Sequence, residues 1–149
     1  MIPTRDLTCF RGGYMNDLIA MILRRLIACG AYDDALLDRA ETLIGDPGWA
    51  AVLMIFSFPP IALQVRPYLD LERRRILVTE LGEAAQAWSS GERALIDVAL
   101  SLFNGRTKVD LMAVMSTLNH EWMDTALYGM LAYRQRSPSQ LQSLALTNS

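Results

Sequence analysis

The sequence predicts an all-α fold, a single compact bundle of six to seven helices around two mostly buried central helices. Three observations carry this expectation. Apolar residues recur at three- and four-residue steps along most of the chain, capping residues and helix breakers alternate with those segments, and no segment of strand length alternates with period two. With 149 residues, an apolar share of 52% and a charged share of 20%, the chain can close one core without a disulfide or metal staple.

The elements follow in order. Gly12-Gly13 precede a first helix from about Tyr14 to Cys29, with Leu18, Ile19, Ile22, Leu23, Leu26 and Ile27 on its apolar side and Asp17, Arg24 and Arg25 on its wet side. Gly30 marks its end. Asp33 caps a short helix from Asp34 to Ile44, which Gly45 ends by supplying a left-handed residue. Asp46-Pro47 restarts the chain, with a side-chain acceptor at the cap and a proline at the first helical position, where a missing N–H costs nothing. That helix runs to about Phe58. Pro59-Pro60 then forces a turn, and a long helix is expected from Pro67 or Asp70 to Trp88, with Gly82 a weak point.

Ser89-Ser-Gly-Glu92 has the form of a capping box and opens a second strongly buried helix, Ser90 to Phe103, whose narrow polar stripe is Arg93, Asp97 and Ser101. Asn104-Gly105 closes it. Thr107-Lys-Val-Asp110 resembles another capping box, a short helix follows to about Thr117, and Asn119 caps the last one, His120 to Arg134. Residues 1–136 form the expected domain, and 137–149 read as a flexible tail rich in Ser and Gln.

The stretch from Pro47 to Val65 has no charged residue, so it must be hidden. A membrane span needs about 18 or more consecutive apolar residues, whereas this run breaks at Pro59-Pro60. A buried central helix is therefore expected, and no membrane span. The N-terminus lacks the basic start and apolar stretch of a signal peptide, which makes a cytoplasmic location the expectation. Cys9 and Cys29 have no metal-binding or redox spacing, and two reduced thiols suffice to explain them.

A formal net charge of −2 gives no field strong enough to gather nucleic acid or an anionic membrane. Lys108 is the only Lys, and the densest cationic cluster, Arg73-Arg74-Arg75, is diluted by Asp70, Glu72 and Glu80. A helix-turn-helix reading of the last two helices places Glu121 and Asp124 against phosphates, which argues against it. His120, Glu121 and Asp124 share one helical turn, but the single His leaves a metal sphere incomplete. No glycine-rich phosphate loop, metal set, cofactor motif or nucleophile triad is present.

Arg93 and Asp97, one turn apart on an otherwise apolar helix, form a polar pair of uncertain role, expected as a semi-buried ion bridge. On that reading Asp97→Ala costs more than about 1 kcal/mol. Met112, Met115, Met123 and Met130, with Trp122, Tyr128 and Tyr133, concentrate adaptable and aromatic side chains in the C-terminal hairpin. The function expected is a non-catalytic protein–protein interaction module, such as an inhibitor, an immunity-type factor, an adaptor or a subunit. It would bind another protein or itself through Met115, Trp122, Met123, Tyr128 and Tyr133. The alternatives are a small enzyme using Asp97, Arg93, Glu121 and His120, and a nucleic-acid-binding regulator using the C-terminal hairpin with Arg73 to Arg75.

Overall fold

Asp46 and Pro47 start the helix on which the rest of the protein is assembled. In a computed structural model, which describes residues 14–136 and the side chains of 17–136, the Asp46 carboxylate accepts the Trp49 N–H at 3.2 Å and begins α3 (Pro47–Phe56). Every α3 residue from Gly48 to Phe56 is buried, so the helix has no wet face. α1 (Tyr14–Cys29), α2 (Asp34–Leu43), α6 (Ser90–Asn104) and α8 (His120–Tyr133) all pack against it. α6 is the second central helix, buried through Leu95, Ile96, Val98, Ala99 and Leu100. Cys9, Gly12-Gly13 and the tail from 137 lie outside the described residues.

The all-α expectation holds, with eight helices among the described residues rather than six or seven. The additional one is α4 (Pro59–Val65). Pro59-Pro60 was expected to make a turn, but two prolines in a first helical turn remove only N–H groups that have no intrahelical partner. α4 therefore begins directly on them, and the axis bends by 113° between the Pro47–Phe56 and Pro59–Tyr68 segments. No single helix among the described residues is long and apolar enough to cross a membrane, and α3, the most apolar, is wrapped by its neighbours.

The largest correction concerns residues 66–88. The expected long helix is replaced by a 3-10 turn (Arg66–Tyr68), a two-residue antiparallel ladder of β1 (Leu69–Asp70) with β2 (Arg75–Ile76), and the short α5 (Val78–Ala85). Local chemistry explains it. Asp70 accepts the Arg73 N–H at 3.0 Å in a side-chain turn, and Arg74 adopts a left-handed backbone with φ 57°. Leu69 and Leu71 are both buried two residues apart, a strand-like spacing that no helix face provides.

Smaller differences lie at the caps. Gly45 does not enter the left-handed region; the turn after α2 closes instead through Asp46 N–H donating to Leu43 O at 3.0 Å. The Ser89 hydroxyl accepts the Glu92 N–H at 3.2 Å and donates to the Glu92 carboxylate at 2.9 Å, so the carboxylate takes the hydroxyl rather than the backbone donor. α7 (Leu111–Thr117) is capped by Asp110, which accepts the Ala113 N–H, and not by Thr107, which bonds with Asn104. Gly30 and Gly105, with φ 74° and 65°, end α1 and α6 as the sequence implies. Asn119 caps α8 by accepting the Trp122 N–H.

Candidate functional site

The five side chains expected to meet a partner are not gathered on one face. Trp122 stands edge-on to Phe58, with ring centroids 5.2 Å apart, and lies beneath Gly91 of α6. It is part of the packing. Met123 is half-buried against the core. Tyr128, five residues on and so roughly 140° around the helix, points into a cleft beside α1. Tyr133 is 41% exposed and borders a different depression, with Asp46, Gly48 and Phe103.

Met115 has the most open position of the five. It belongs to α7, where only Val114 is buried, while Leu111, Met112 and Met115 are 63%, 73% and 57% exposed. A seven-residue helix thus presents its larger apolar side chains to solvent, the reverse of a packed amphipathic helix. Met112 is among the adaptable methionines of the hairpin but not among the five expected contact residues, and Leu111 is in neither set. Helical spacing could not have shown that this face is the open one, because it shows which residues share a face but not which face a neighbour covers. α7 rests mainly on α6.

Beside it runs a groove of about 310 Å³, lined by Gly82 and Ala85 of α5, Arg93 and Asp97 of α6, and Ala113 and Thr117 of α7. Arg93 and Asp97 are both exposed and make no ion pair with each other or with any other described residue, contrary to the semi-buried bridge expected. Partial burial nevertheless pushes the Asp97 pKa up, with Arg93 opposing the shift. The fold therefore favours the protonated acid. Stability should fall as pH rises from the ordinary aspartate range through the raised folded value, and should stay constant above it. Asp97→Asn should give a small rise in Tm at pH 7 that vanishes near pH 3, in melts recorded across that range, in place of the loss expected from a buried pair.

The remaining candidates do not converge. Glu121 and His120 are exposed at the start of α8, and no cluster of three or more metal-ligating side chains occurs among the described residues. At the β1–β2 tip, Asp70 lies 4.0 Å from Arg73 and 3.7 Å from Arg75, and Glu72 pairs with Arg39 at 3.9 Å. Those acids dilute the arginines, as expected, although across a hairpin rather than along a helix. No family model, no curated protein and no solved structure matches this chain.

Proposed function

We propose that this protein is a non-catalytic interaction module that engages a protein partner, or a second copy of itself, through the outward face of α7. The observation that carries the reading is the exposure of Leu111, Met112 and Met115 on one short helix. Methionine side chains adapt to irregular surfaces, and a contiguous exposed apolar face is what an interface core requires. The groove that holds Arg93 and Asp97 is bordered by Ala113 and Thr117, on the other side of α7 from these three side chains.

The same groove is the specific support for the second reading, a small enzyme, because it holds two of the four side chains named for that role. The interaction reading is preferred on physical grounds. A general acid or base must be held in place, and no hydrogen bond or ion pair among the described residues fixes either Arg93 or Asp97.

Met112→Glu combined with Met115→Glu tests the proposal. Both positions are exposed, so thermal melts should change by no more than about 0.5 kcal/mol. Complex formation, read as mass by size-exclusion light scattering of the native complex or the homodimer, should weaken at least tenfold. Unchanged assembly by the double variant would refute the reading.

A further inference from the structure

We propose that the cleft between α1, α4 and α8 binds a monoanionic carboxylate carried on an apolar body, with Arg25 as the recognising cation. The cleft has a volume of about 580 Å³, within the range of small-molecule sites, and lies away from α7. Phe58, Pro59, Pro60 and Ala28 give it an apolar lining.

Arg25 is built into this site rather than draped over it. Its Nε donates to Ser57 Oγ at 3.3 Å, and the Ser57 hydroxyl, 1% exposed, donates in turn to Met54 O at 2.7 Å. The guanidinium carbon sits 5.6 Å from the Tyr128 ring centroid, a cation–π distance. The side chain is therefore oriented from two sides. Its Nη groups, by contrast, have no acceptor among the described residues, and no carboxylate there pairs with it. Burial lowers the Arg25 pKa, so the cation is partly desolvated without an anion to compensate it. A planar fork in that position matches a carboxylate bidentately.

Glu121 and Asp124 on the α8 rim decide the class of anion. Two carboxylates across the cleft disfavour a doubly charged phosphate and tolerate a singly charged acid, and they favour one that also carries an amine. Such a group is offered equally by a free carboxylic acid and by the C-terminus of a peptide. The shared chemistry is the proposal.

Titration of the full chain with 3-phenylpropanoate, followed by amide and guanidinium NMR, tests it. Saturable shifts are expected at Arg25, Ser57 and Tyr128, with 3-phenylpropanamide and 3-phenylpropyl phosphate binding at least tenfold more weakly. Arg25→Gln should erase the preference for acid over amide. Equal responses to acid and amide in the native protein, a stronger response to the phosphate ester, or no shift up to about 10 mM would overturn the proposal. The tripeptide Ala-Pro-Phe, as acid and as amide, separates the sources: an acid-dependent affinity above that of 3-phenylpropanoate assigns a peptide C-terminus, and one below it assigns a free acid.

Discussion

Phe56→Ala is expected to lower the folding free energy by about 3–5 kcal/mol, a large part of the 5–15 kcal/mol that holds a domain of this kind. Phe56 ends α3, is fully buried, and its carbonyl accepts the Tyr32 hydroxyl at 3.5 Å. Truncation loses the transfer energy of the ring and leaves a cavity that the surrounding helices can fill only in part. Leu63→Ala on α4 is the control, since Leu63 is 72% exposed and the change should stay within about 0.5 kcal/mol. Chemical denaturation at constant m-value measures both. A loss below about 1 kcal/mol at Phe56 would mean that α3 is not the centre of the core.

Gly129→Ala should destabilise the protein by about 1–3 kcal/mol, against the normal direction for a helical glycine. In an exposed helix the same change gains up to about 1 kcal/mol from propensity. At position 129, however, a Cβ would stand 2.6 Å from Ile55 Cγ1 and closer still to Ile55 Cδ1, inside the crossing of α3 and α8. Ile55 is fully buried and branched at Cβ, so it cannot swing clear. Thr125, Ala126 and Ala132, also buried on α8, keep the rest of that face narrow. Gly82→Ala in α5, where a Cβ meets nothing within 4 Å, should instead gain about 0.5–1 kcal/mol. Ile55→Val in the Gly129→Ala background should recover part of the loss. A neutral Gly129→Ala would show that the two helices cross less closely than described.

The sequence made α2, α3, α6 and α8 legible because their starts are set by local chemistry, namely Asp33, Asp46, Ser89 and Asn119 accepting from backbone N–H groups three residues ahead, and α1 because Gly30 ends it in the left-handed region. The same reasoning failed between Arg66 and Leu77. There, apolar spacing fits a helix, but Leu69 and Leu71 stand two apart and Asp70 closes its own turn. Pro59-Pro60 misled in the other direction, since prolines that break a helix also open one. Arg25, expected on the wet side of α1, lies seven residues after Leu18 and one before Leu26, at the edge of the buried stripe. That spacing was a signal of its half-buried position against Tyr128. The exposure of α7 left no such trace, because it depends on which neighbours happen not to cover it.

The central claim is that α7 is the contact surface, and a photo-crosslinking residue at position 112 of the full chain tests it most directly. Irradiation in the native host should give one discrete adduct from position 112, either a partner protein or a second copy of this chain, and none from a matched probe at exposed position 34 on α2. No adduct at 112, or the same adducts from both positions, would contradict the account.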